Sequence, residues 1–118
     1  MNHQSGKVKL NLKPAHKRSL MRNQVIHFIT YGKLITTKAR AKEVQRLTER
    51  LVTIARQGNN FNTQRRIKAM LPYKAQAIKS LFTDIAPKYT QRAGGYTRLI
   101  SLGRRTSDTA KLALLEWV

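Results

Sequence analysis

From Lys38 to Gln57 the apolar residues Ala41, Val44, Leu47, Leu51, Ile54 and Ala55 recur at steps of three and four. That spacing predicts a helix with one apolar stripe, which has to be laid against a second layer. Gly58-Asn59-Asn60 ends it, with Arg56 placed to favour the carboxyl end of the helix dipole. Just before it, Lys33-Leu34-Ile35-Thr36-Thr37 is short and rich in β-branched residues, consistent with a strand, and Thr36 or Thr37 is placed to cap the helix. The only acids in this half of the chain, Glu43 and Glu49, are expected to pair locally with Lys42, Arg46 or Arg50.

Other elements arrange themselves around that helix. Pro14 suits a first helical turn, and Leu20, Met21, Val25, Phe28 and Ile29 predict a helix over 14–31, with Gly32 as a left-handed cap. Asn60 or Asn62 is placed to cap a helix from Thr63 to about Leu71. After Pro72, Ala77, Ile78, Leu81 and Phe82 mark a further helix to about Asp84, ended by Ala86-Pro87. Tyr96–Leu102 and Ala110–Val118 read as strands joined by a hairpin over 103–109. Leu112, Ala113, Leu114 and Leu115 alternate poorly, as expected where both faces of a sheet are partly covered. Residues 1–13 hold Lys7, Lys9 and Lys13 and no acid, and read as a basic N-terminal arm. The expected fold is α+β: a single domain over 14–118, in the order helix, strand, three helices, two strands, preceded by that arm.

Charge narrows the function. There are 24 Lys and Arg against 5 Asp and Glu, a formal net charge of +19. A folded domain so charged repels itself unless a polyanion neutralises it. Nucleic acid is the first candidate. An anionic membrane is the second, but there is no long apolar run, secretory signal or lipidation motif, so the chain is expected to be soluble and untargeted. The absence of cysteine excludes disulfides and thiolate chemistry and fits a reducing cytoplasm. The five acids are scattered, His3, His16 and His27 lack metal-ligand spacing, and no nucleotide or nucleophile motif occurs. His27, on an apolar helix, is expected at the core or its boundary. No enzyme activity, cofactor, metal or small-molecule substrate is expected.

The charge is also segregated. Residues 1–42 carry ten Lys or Arg and no acid, and residues 88–107 carry Lys88, Arg92, Arg98, Arg104 and Arg105, again with no acid. Surfaces built only for solubility intersperse the two signs. Within the second tract lies Gln91-Arg92-Ala93-Gly94-Gly95-Tyr96-Thr97-Arg98. Its paired glycines allow positive φ and close backbone approach, its arginines match phosphate oxygens, and Tyr96 offers a ring for stacking and a hydroxyl for a hydrogen bond. The plainer alternative is a hairpin entry with a solvated basic face. The two tracts together, brought onto one face, point to phosphate contacts with a folded RNA; few aromatics and no DNA-binding or RNP motif are present.

The chain resembles the bacterial large-subunit ribosomal protein seventeen family over essentially its whole length. Three landmarks carry the likeness. The first is His3-Gln4-Ser5-Gly6-Lys7 with Leu10-Asn11, His16-Lys17-Arg18 and Arg22-Asn23; the second is Ile35-Thr36-Thr37 followed by Ala41-Lys42-Glu43; the third is Arg92 to Arg98. The resemblance implies the same α+β order and a structural role in the large ribosomal subunit. It implies binding to large-subunit ribosomal RNA near the polypeptide exit tunnel, beside neighbouring large-subunit ribosomal proteins, in the cytoplasm. Carried over by position, the RNA-facing residues are His3, Gly6, Lys7, Asn11, His16, Lys17, Arg18, Arg22, Asn23, Arg92, Gly94, Gly95, Tyr96 and Arg98. Asn2 stands where the family usually has a basic residue, and Val118 is not followed by the charged tail of many members. Outside this resemblance, two alternatives remain: a free-standing basic DNA- or RNA-binding protein, or an interaction module using Trp117 and the last strand as an edge.

Overall fold

A computed structural model describes residues 12–72 and 75–118; all but the last two residues of the expected arm, 1–13, lie outside the described residues. The order is α1 (Pro14–Tyr31), β1 (Lys33–Thr37), α2 (Lys38–Ala55), α3 (Phe61–Met70), α4 (Ala75–Ser80), β2 (Thr97–Arg104) and β3 (Lys111–Trp117). This is the expected α+β sequence of elements. The helix ends follow local chemistry. Pro14 opens α1, and Gly32 closes it at φ 79°, donating its N–H to the Phe28 carbonyl at 2.7 Å. Asn60 and Thr63 form a reciprocal capping box on α3. Thr37 sits at the N-cap of α2 as expected, but makes no side-chain capping hydrogen bond.

Past α4 the chain does not stop at Ala86-Pro87. A π-turn over Leu81–Ile85 and a 3-10 turn over Ala86–Tyr89 carry it on, because Pro87 sits in the first positions of that turn, where a missing N–H costs nothing.

The three strands are antiparallel in the order β1-β3-β2, so β3 is central. Their register sorts the residues by face. Leu34, Leu115 and Leu99 form one row across the sheet; Ile35, Leu114 and Ile100 form the next. The first row faces the helices, with Leu34 and Leu115 buried, while Ile35 is 63% exposed and Ile100 40%. The poor alternation of β3 thus has a different cause from a second covering layer. As the central strand, its outward residues Leu112 and Leu114 are shaded by a neighbour on each side and are half-buried.

Trp117 is no free edge: its ring stacks on Phe28 at 4.5 Å between centroids. Gly103, expected in the hairpin loop, belongs to β2 at a bulge after Ser101 with φ 91°, and the turn proper runs from Arg105 to Ala110. His27 is exposed on α1 and lies against Tyr31, so its ring is not part of the core.

Helix α2 is the hub: it touches α1, α3 and all three strands, as well as the turns after α4. Ala41, Val44, Leu51, Val52, Ile54 and Ala55 are buried on it. Its remaining sides hold the two basic segments.

Candidate nucleic-acid interface

The glycine segment is built onto the carboxyl end of α2. Arg56 reaches across and donates from Nη1 to the Arg92 carbonyl at 2.5 Å and to the Tyr96 hydroxyl at 3.0 Å, and from Nη2 to the Thr90 carbonyl at 3.2 Å. One helical turn earlier Thr53 also meets the Tyr96 hydroxyl, at 3.3 Å. Glu49 accepts the Tyr96 backbone N–H on Oε1 at 2.8 Å. Glu49 thus has a distant partner that its position in the sequence did not suggest. Glu43 pairs locally, with Arg46 at 3.4 Å.

Within the segment, Gly95 adopts φ 63°, a left-handed conformation that costs an L residue about 1–2 kcal/mol. A Cβ there would meet nothing closer than 4.0 Å, so the requirement is torsional rather than steric. The exposed Arg92 turns back to donate from Nε to the Gly94 carbonyl at 3.1 Å, which fixes its guanidinium plane.

Tyr96 corrects the expectation of a stacking ring. It is completely buried, its ring 5.3 Å from that of Tyr89 between centroids. No base can reach it; it anchors the segment to the core. Burial also pushes the Tyr89 phenol up, with Arg92 opposing the shift. Its hydroxyl donates to the Val118 carbonyl at 3.0 Å.

The cations of the second tract are not equivalent. Arg98 faces away from Tyr96, on the outer side of the sheet, and pairs with Glu116 at 3.3 Å. Arg105 donates to both oxygens of Asp108, at 2.9 and 2.7 Å, and holds that carboxyl down at about 2, helped by the Ala110 N–H. The acid-free tract of the sequence is thus partly neutralised by acids just beyond its end.

The other basic segment is the first half of α1. His16, Arg18 and Asn23 are exposed, Lys17 and Arg22 half-buried. Arg22 donates from Nε to the Met70 carbonyl at the end of α3, at 3.2 Å. A groove of about 510 Å³ runs here between α1, α2 and the end of α3. Lys17, Arg18, Arg22 and Arg50 line it, with Glu43 as the one carboxylate among the lining residues. The sequence marked Arg56 only for the helix dipole and Arg50 only as a partner for an acid, and neither as a site residue. Nothing in local spacing tells that a helix-end arginine reaches a segment 36 residues away. The two basic segments are not in direct contact through any of these bonds; α2 bears both, the groove on its Leu47 and Arg50 side and the glycine segment at Glu49, Thr53 and Arg56. His3, Gly6, Lys7 and Asn11 lie outside the described residues.

No described helix is long and apolar enough to cross a membrane. Residues 20–118 match the ribosomal protein L17 family model. The large ribosomal subunit protein bL17 of Clostridium kluyveri (strain NBRC 12016) is 42% identical over 110 residues, 93% of this chain and 96% of the relative. The bL17 of Borreliella afzelii is 42% identical over 110 residues, 93% of this chain and 88% of its own length. That of Pelobacter propionicus is 36% identical over 118 residues, all of this chain and 91% of its own length. With a family model covering the whole described domain beyond the first turns of α1, and relatives alike over nearly their full length, the chain belongs to the ribosomal protein L17 family, proteins of the large ribosomal subunit and not enzymes.

Proposed function

We propose that this protein is a structural constituent of the large ribosomal subunit that clamps folded large-subunit ribosomal RNA near the polypeptide exit tunnel, on cytoplasmic ribosomes. The observation that carries this reading is the rigid mounting of the glycine segment by Arg56 and Glu49, which holds Arg92 in one place on an otherwise cationic surface. A pre-organised guanidinium loses little freedom on meeting a phosphate, and each phosphate neutralised releases counterions. The start of α1, with His16, Lys17, Arg18, Arg22 and Asn23, supplies a second set of contacts, and the arm residues His3, Gly6, Lys7 and Asn11 a third.

The test is filter binding to large-subunit ribosomal RNA across a salt series. Arg92→Ala is expected to flatten the slope of log affinity against log salt by about 0.7–0.9, one phosphate contact. Arg98→Ala should flatten it less, because Glu116 already takes part of that charge. Identical slopes for wild type, Arg92→Ala and Arg18→Ala would remove the phosphate-clamp reading.

Neighbouring ribosomal proteins are the partners we assign to the outer sheet face. Its row Ile35, Leu114 and Ile100 is apolar, and phosphates gain nothing from it. Ile35→Glu is expected to leave the unfolding free energy within about 0.5 kcal/mol of wild type, since the residue is exposed, while lowering incorporation into subunits reconstituted with total ribosomal protein. Equal incorporation would leave that face without a protein partner.

A further inference from the structure

The groove between α1, α2 and the end of α3 has two characters at once. Its floor is apolar: Met21 is buried, and Leu47 and Met70 are partly buried against the core. Its rim is cationic through Arg18, Arg22 and Arg50. A basic peptide would be repelled by the rim. A regular RNA duplex would satisfy the rim with phosphates but leave the floor wet, because the bases of a duplex are stacked inside it.

The ligand that fits both is flat and apolar on its faces and anionic at one end. We propose that the groove takes a single unstacked nucleotide of the bound RNA, its base lying on Met21, Leu47 and Met70 and its phosphate held by Arg18 and Arg50. The volume of about 510 Å³ is within the range of small-ligand sites. Two thioethers make an adaptable surface for a base of any identity. Arg22 completes the site. Its guanidinium is held by the Met70 carbonyl at 3.2 Å, so its plane is fixed at the groove, where it can stack on the base. This inference rests on the proposal that RNA is the partner and adds a mode of contact to it, the capture of a base rather than of phosphates alone.

Ala69 lines the groove and is exposed on α3, so Ala69→Trp fills the space without removing a charge or a core residue. With large-subunit ribosomal RNA as the probe, Ala69→Trp is expected to bind about tenfold or more weaker through loss of one stacked base, with the salt slope flattened by no more than the one phosphate that Arg18 and Arg50 hold. Unaltered affinity of Ala69→Trp, beside a flattened slope for Arg92→Ala, would overturn the base pocket and leave the RNA clamp standing. Weaker binding with a slope flattened by two or more phosphate contacts would also overturn it, since the groove would then be serving a run of phosphates and not one nucleotide. No salt-dependent binding by the wild type would instead remove the RNA reading itself.

A second measurement needs no variant. With the methionine methyl groups labelled, each of the four 5′-mononucleotides in the millimolar range should shift the Met21 and Met70 signals, and inorganic phosphate should not. Shifts absent with all four nucleotides, or equal with phosphate alone, would overturn the proposal.

Discussion

Tyr96→Ala is expected to cost about 3–5 kcal/mol of stability, a loss comparable to much of the margin of a small domain. The ring is the largest completely buried side chain among the described residues, and it has no solvent-facing side to relax toward. Urea unfolding measures the effect as a lower midpoint. Tyr96→Phe separates ring from hydroxyl. It keeps the packing and loses the oxygen shared by Arg56 and Thr53, for an expected loss of about 1 kcal/mol. An Ala variant as stable as wild type but impaired in RNA binding would mean that the ring serves RNA after all.

The second large effect is expected at Arg56. Its guanidinium joins three acceptors, the carbonyls of Thr90 and Arg92 and the hydroxyl of Tyr96, so Arg56→Ala loosens residues 90–92 from α2 and leaves the Glu49 and Thr53 contacts to Tyr96 in place. Because Arg56 is only half-buried, water replaces part of what is lost, and the cost in stability is expected at about 2 kcal/mol. The loss of RNA affinity should be about tenfold, as ordering the segment becomes part of binding. Arg56→Lys is expected to fail as a rescue, since an ammonium lacks the planar fork that spans separate acceptors. Amide hydrogen exchange reports the mechanism: residues 90–92 should exchange faster in Arg56→Ala while β3 keeps its protection. Unchanged exchange in that segment would show that Arg56 does not hold it.

Much of the fold is written locally. The stripe on α2, Gly32 after α1 and Asn60 before α3 each act within a few residues, and periodicity and capping rules read them directly. What stayed hidden lies between distant parts of the chain. Tyr96 follows two glycines and precedes a threonine, a setting equally suited to an exposed turn, and it is distant residues, Glu49, Thr53 and Arg56 on α2 and the ring of Tyr89, that draw it inward. The same holds for Arg50, whose role arises where α1 and α2 cross beside α3. One hidden feature did leave a trace. The run Leu112–Leu115 is the signature of a strand flanked on both sides, and it marks β3 as the middle of the sheet rather than an edge.

The β1-β3-β2 order also governs when this protein can come into being. Its central strand is the last of the three described strands to be synthesised, and neither β1 nor β2 has another described strand to pair with before β3 arrives. A nascent chain that has emerged as far as Gly103 carries helices and two unpaired strands, with Phe28 lacking Trp117 and Leu34 lacking Leu115. Such non-local pairing is slow and exposes sticky edges while it waits. The α1 helix and its basic start are thus made well before the strand that completes the sheet.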